Sequence, residues 1–244
     1  MNFAKLDELA TRVKAMRPLN ETELRRLRDE FMIENTHDST AIEGNTLTLR
    51  ETALVLQEGI TIAEKPLRDH LEAIGYRDAF LYIIDLADKD APLSESVIQS
   101  IHSLVLMNDA QNRGIYRRVP VTISGALHTP PQPYLVPIQM EALLADYEDM
   151  KHSRHIIEAI AEFHLRFEGV HPFIDGNGRT GRLILNLELI KAGLLPVNIK
   201  FADRRKYYDC FDAYHADARS AAPMAELIAG YEIAELQKRI DILS

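Results

Sequence analysis

Along most of the chain, apolar side chains return every three or four positions, the spacing of helices that bury one face. Asn20 followed by Glu23 makes a capping-box pattern, opening a helical stretch through Phe31 and Ile33 to about Ile42. Thr48 and Glu51 repeat the signal before a short helix through Leu54 and Leu56 that closes at Gly59. Pro66 suits the first position of the next helix, which runs to about Asp88 with Leu71, Ile74, Ala79 and Ile83 facing inward. Ser94 caps another, with Val97, Ile101, Leu104 and Val105 at core spacing. Further helices are predicted over about 138–151 and 154–170, from a glycine-rich stretch to Gly193, and over about 203–217 and 223–242.

Residues 114–136 break this rhythm. GIYRRVPVTISGALHTPPQPYLVP alternates β-branched residues, carries a turn signal at Ser124-Gly125 and ends in a proline cluster, which predicts a β-hairpin and an extended loop on a helical body. No repeat or linker-like segment appears. The expected fold is therefore all-α, a helical bundle with a small β-hairpin flap, in one domain over 1–244. It divides into an N-terminal region over 1–60, a core over 61–220 carrying the flap, and a C-terminal helix over 221–244.

Charge narrows the partners. A formal net charge of −9 leaves no extended basic surface for nucleic acid or an anionic membrane. The lone Cys210 excludes an internal disulfide. The N-terminus mixes charges at helical spacing without an apolar core segment, and no run reaches the roughly 20 apolar residues of a membrane span. A cytoplasmic protein is expected, with no DNA-binding module after AELQKRIDILS.

The chemistry is concentrated in HPFIDGNGRTGR, residues 171–182. GNGRTG fits the G-x-G-x-x-G pattern of dinucleotide-binding folds, and PVNIKFAD downstream could pass for that fold's second strand. The first strand is missing, because Pro172 interrupts the approach to Gly176 and EAIAEFHLRF upstream is helical. A calcium loop fails at Arg179 and Asn186, and a P-loop fails at Arg182 and Leu183. What remains is a loop that opens a helix. Unpaired N–H groups there form an anion site, and Gly176 and Gly178 let phosphate oxygens approach the backbone. Arg179 and Arg182, three apart, share a helical face and can grip phosphates. Asp175 can hold Mg²⁺ beside substrate phosphates, and His171 titrates near neutrality, as a general base must. Singly, each residue has an ordinary structural reading. Together, within twelve positions, they describe phosphoryl or nucleotidyl transfer from a Mg-nucleotide.

This stretch resembles the motif of Fic-domain proteins, His-x-Phe-x-(Asp/Glu)-Gly-Asn-Gly-Arg-x-x-Arg, at every specified position, and the resemblance extends over about residues 39–216. It implies an all-helical fold with a flap before the catalytic helices, and transfer of AMP from ATP to a Ser, Thr or Tyr hydroxyl of a protein, possibly this protein itself. His171 would be the general base and Asp175 the Mg²⁺ ligand. The backbone and side chains around Gly176, Asn177 and Gly178 would cradle the α- and β-phosphates, Arg179 and Arg182 would bind the outer phosphates, and Phe173 would anchor the loop. Gly178 stands where a phosphotransferase branch carries Lys, which favours adenylylation. Val121, Thr122 and Ile123 in the flap would clamp the target as an added strand, and Tyr207 and Tyr208 would line the adenine pocket.

STAIEGN at 39–45 resembles the family's inhibitory motif, (Ser/Thr)-x-x-x-Glu-(Gly/Asn). By that resemblance Ser39 and Glu43 lie on an inhibitory helix, and Glu43 pairs with Arg182 and denies it to the γ-phosphate. Some members use this glutamate to position water and remove AMP instead, and the sequence does not separate the two. A nucleotide-binding regulatory module without turnover is a further alternative, and a homodimer is compatible with everything above.

Overall fold

The computed structural model describes residues 3–123, 125, 128–216 and 219–244. Among these, ten α-helices form the body: α1 (Ala4–Ala15), α2 (Glu21–Ile42), α3 (Leu49–Glu58), α4 (Leu67–Asp88), α5 (Glu95–Val105), α6 (Val136–Ser153), α7 (Ile156–Val170), α8 (Asn177–Lys191), α9 (Arg204–His215) and α10 (Ala222–Leu243). Short 3-10 turns at Pro133–Leu135 and Phe201–Asp203 lead into α6 and α9.

The ends of the helices follow local chemistry. Asn20 Oδ1 accepts from Glu23 N while Glu23 reaches back to Asn20 N, both at 2.9 Å. Thr48 and Glu51 repeat the box, and Ser94 accepts from Val97 N. Pro66 sits at the N-cap of α4 rather than inside its first turn, with ψ of 141° still extended. Gly59 and Gly193 take the left-handed conformation that ends α3 and follows α8.

The centre of the molecule is α8, whose Leu183, Ile184, Leu185, Leu187 and Leu189 are all buried. It packs against α4, α5 and α7; α6 and α10 cover the far side of α7, and α1 lies on α10. A helix buried nearly all round positions the groups at its N-terminus rigidly, and the candidate site is built there.

No strand occurs among the described residues, so the expected hairpin is absent from them. Val121, Thr122 and Ile123 run in irregular backbone, half-buried or exposed; Ser124, Ala126 and Leu127 of the expected turn and arm lie outside the described residues. Pro120, Pro130, Pro131 and Pro133 remove four donors from this segment, and an isolated two-stranded hairpin is marginal even without prolines. Instead the segment is tied to the body by Arg117, whose N–H donates to Pro172 O at 2.9 Å. The strand-like PVNIKFAD is irregular backbone over 196–200 that ends in the 3-10 turn Phe201–Asp203. Asn186 occupies both backbone groups of Val197, accepting from N at 2.8 Å and donating to O at 3.1 Å, where a neighbouring strand would sit. No helix among the described residues is long and apolar enough to cross a membrane.

Candidate active site

Helix α7 delivers His171 at its C-cap, in a left-handed conformation with φ 49° and ψ 62°. That conformation costs a non-glycine residue roughly 1–2 kcal/mol, so surrounding bonds must hold it. Arg117 does so: Nε donates to His171 O at 2.8 Å and Nη2 to Pro131 O at 2.6 Å. The imidazole Nδ1 is buried, 3.7 Å from Glu168 Oε2. Burial pushes the His171 pKa down to about 4, against the opposing pull of the Glu168 backbone. The ring is therefore neutral at pH 7, the state a proton acceptor requires.

The loop between α7 and α8 is fastened from inside. Phe173 is fully buried and stacks on His102, ring centroids 3.6 Å apart. The His102 ring bridges two loops. Nδ1 accepts from Gly114 N and Nε2 faces Asp175 O, each at 2.9 Å, which makes Nε2 the protonated nitrogen. The Asn177 amide is spent within the loop, accepting from Phe173 N and donating to Phe173 O, both at 2.9 Å. Its side chain thus fixes the loop and leaves the backbone as the anion-binding part. Gly176 turns the chain at φ 78°, and a Cβ there would lie 3.3 Å from Val105 and 3.4 Å from His102.

No side chain caps the start of α8, so its first N–H groups face outward without an intrahelical acceptor. Asp175 hangs at this mouth with its side chain 65% exposed; Oδ1 accepts from Gly176 N at 2.6 Å and from Arg179 Nη2 at 3.1 Å. One exposed carboxylate beside an anion site is the donor set Mg²⁺ takes when phosphates complete its shell. Arg179 is turned into the protein, 2% exposed, with Nη1 3.5 Å from Glu72 Oε1. Its Nε and Nη1 are buried without a hydrogen-bond acceptor. Such orphaned donors favour an added oxyanion.

Arg182 already has its partners. Nε donates to Ser39 Oγ, and Nη2 donates to Ser39 O and to Glu43 Oε1, all at 2.8 Å. Glu43 is brought there by the way α2 ends. Gly44 N bonds Ala41 O and Asn45 N bonds Thr40 O, with Gly44 at φ 95°, which is a Schellman motif with Glu43 at the C-cap. The Glu43 carboxylate lies so close over the α8 start that a Cβ added to Gly178 would run into Oε1. It fills the space in front of the anion-receptive amides.

Two predicted residues have other neighbours than an open pocket. Tyr207 is 2% exposed beneath Arg182, its hydroxyl 2.7 Å from His164 Nε2 and accepting from Arg182 Nη1 at 3.5 Å. Tyr208 is partly exposed and donates to Ile42 O at 3.2 Å, so it also touches the end of α2. Val121, Thr122 and Ile123 make no hydrogen bond that would hold a strand. Arg117, His102, Glu72 and Glu168 join the site without belonging to any motif of the sequence. Glu168 is the least expected: burial and the Glu43 charge push its pKa up to about 8, and Oε1 lacks a partner. Its position one turn before His171 is the only signal the sequence carries.

The fold and the loop define a helical protein built around an anion-receptive helix start, closed by a carboxylate from its own N-terminal region. The profile of the Fic/DOC family matches residues 92–189. The protein adenylyltransferase Fic of Nematostella vectensis is 34% identical over 88% of this chain and 51% of its own length. A Fic domain containing signalling protein from Bacteroides thetaiotaomicron superposes with a TM-score of 0.87 at 28% identity, covering 97% of this chain and 96% of its own. Fic-1 (residues 134–508) of C. elegans superposes with a TM-score of 0.84 at 30% identity, covering 98% of this chain and 70% of its own. The chain belongs to the Fic family. It spans about half the length, or less, of the curated relatives it matches.

Proposed function

We propose that this chain is a protein adenylyltransferase held off by its own Glu43, transferring AMP from ATP to a Ser, Thr or Tyr hydroxyl of a protein, itself included. The observation that carries the reading is the Glu43–Arg182 bond laid directly over Gly178, at the mouth of α8. The names of the adenylyltransferase relatives support the reaction class.

In this reading the triphosphate lies along the α8 start, with its oxygens on the N–H groups that no side chain caps. Arg179 supplies the buried donors that lack an acceptor. His171, neutral at pH 7, takes the proton of the target hydroxyl. The hydroxyl oxygen bonds to the α-phosphorus, the bond to the bridging oxygen breaks, and pyrophosphate leaves. Asp175 would hold Mg²⁺, which neutralises charge on the phosphates when bound. With Glu43 in place, Arg182 is occupied and a carboxylate stands where a phosphate must enter, so binding is opposed by loss of a donor and by like-charge repulsion.

The test uses ATP labelled at the α-phosphate with a cell lysate as the source of targets. Wild type should label weakly, Glu43→Gly strongly, and His171→Ala not at all. Unchanged labelling and ATP affinity in Glu43→Gly would remove the inhibitory assignment. Labelling that survives His171→Ala would remove the base.

A further inference from the structure

The helix that carries Glu43 is held in an unusual way. The C-terminal half of α2 buries polar side chains: Asn35, Thr36, Asp38, Ser39 and Thr40 are all buried, whereas its first three turns lie largely in solvent. Asn35, Ser39 and Glu43 stand at i, i+4 and i+8, one stripe down the inner face. Two of the three meet Arg182. The third meets a separate buried set. Tyr76 on α4, fully buried, donates its hydroxyl to Asn35 Oδ1 at 2.8 Å. Asn35 Nδ2 donates to Asn198 Oδ1 at 3.3 Å, and Asn198 Nδ2 returns to Asp38 Oδ2 at 2.7 Å. Phe201 N closes the set on Asp38 Oδ1 at 3.2 Å. The run that carries Asn198 is pinned in turn to Asn186, four residues beyond Arg182 on α8.

This set does something that apolar packing would not. An apolar helix face tolerates sliding by part of a turn, but directional bonds between buried amides and a carboxylate are satisfied in one register only. Their net worth is also modest, because each group can bond water once the helix lifts away. A blocking helix fixed by such bonds is accurately placed yet releasable. The chain of contacts from Asn186 through Val197–Asn198 to Asn35 refers the height of α2 to the same helix that presents Arg182.

We propose that Tyr76, Asn35, Asn198 and Asp38 form a positioning latch that sets the register of α2 against α8 and thereby holds Glu43 on Arg182. The proposal deepens the inhibitory reading above and rests on it for its effect on activity. None of the four residues belongs to the 171–182 loop; Tyr76 alone also lies beside Ser39 and the Arg182 charge, so Asn198→Ala is the variant that loosens the latch furthest from the chemistry.

The experiment compares the full chain with Tyr76→Phe and Asn198→Ala in the α-labelled ATP assay and in amide hydrogen exchange. Each variant should raise labelling about fivefold, the factor given by one hydrogen bond of typical net worth. Exchange over residues 35–43 should quicken, while α8 stays protected. Placed on Glu43→Gly, neither substitution should raise labelling further. Unchanged exchange over 35–43 in both variants overturns the latch, as does unchanged labelling while Glu43→Gly alone is active. If Glu43→Gly fails to raise labelling but exchange over 35–43 quickens, the latch stands as the register device and the inhibitory reading falls instead. Should Asn198→Ala melt at a much lower temperature, Tyr76→Phe, which removes a single oxygen, carries the comparison.

Discussion

Two glycines three residues apart on α8 illustrate how differently a bare backbone position can be used. Gly181 lets α8 approach α7, and a Cβ there would lie 2.5 Å from Glu168 Oε1 and 2.9 Å from His164 Cε1, both deep in the core. Gly178 faces the end of the Glu43 side chain, which is one-third exposed and can swing into water. Gly181→Ala should therefore cost about 1–3 kcal/mol of unfolding free energy, as overpacking does, whereas Gly178→Ala should cost less than half as much. Urea denaturation of the two variants decides it, and an equal loss in both would mean that the Glu43 carboxylate is as rigidly held as the core. At this scale the sequence was informative about identity and blind to environment. The spacing of Arg179 and Arg182 marks both as candidate phosphate ligands. That Arg179 faces Glu72, and that Asn177 spends its amide on Phe173, depends on α4 and on loop closure, neither of which leaves a trace in twelve residues.

At the scale of elements, the caps wrote themselves into the sequence because each is a local bond between residues three apart, as at Asn20–Glu23 and Thr48–Glu51. The hairpin expected over 114–136 finds no strand among the described residues for the opposite reason: β-branched alternation is a weak signal without a paired neighbour, and Pro120, Pro130, Pro131 and Pro133 remove donors. The inner face of α2 could be read only in part from periodicity, since between Ile33 and Ala41 its buried residues, Asn35, Thr36, Asp38, Ser39 and Thr40, are polar and interrupt the apolar rhythm. The junction after α2 is the element on which the blocking position depends. Asn45 donates to Asp69 O and Glu72 Oε2, both at 3.0 Å, and accepts from Leu47 N at 3.1 Å, tying the Schellman end to α4. Asn45→Ala removes those bonds and leaves Leu47 N without its acceptor, and should cost about 1–3 kcal/mol. It should also raise AMP labelling above wild type, because the helix end that aims Glu43 loses its anchor. A stability loss without any rise in labelling would show that Ser39 and Arg182 alone place Glu43.

For the whole molecule, the buried titratable groups set how stability depends on pH. Burial holds three histidines neutral: His102 and His171 are pushed down to about 4 and His164 to about 3, from an ordinary value of 6.5. Below about pH 6.5 the unfolded chain takes protons that the folded chain refuses, so this contribution is full above 6.5 and is lost as pH falls towards 4. Carboxyls act in the other direction, Glu168 and Glu232 most, with Glu235 also raised by burial. Glu168 is pushed up to about 8 by burial and the Glu43 charge, and Glu232 to about 7 by burial, from 4.5. The folded chain keeps those protons when the unfolded chain releases them, so their contribution is full below 4.5 and is lost as pH rises through 7 and 8. Between 4.5 and 6.5 the histidines, His215 also shifted down by burial, outweigh the carboxyls and stability rises with pH; above 6.5 the carboxyls act alone and it falls. The melting temperature should therefore peak near pH 6.5 rather than on a broad plateau to pH 9. Glu168→Gln, which has no proton to lose, should flatten the alkaline limb, and adding Glu232→Gln should remove most of what remains. An alkaline limb unchanged in the double variant would mean that both carboxyls are already ionised in the folded protein and that Arg182 compensates Glu168 more fully than its burial suggests.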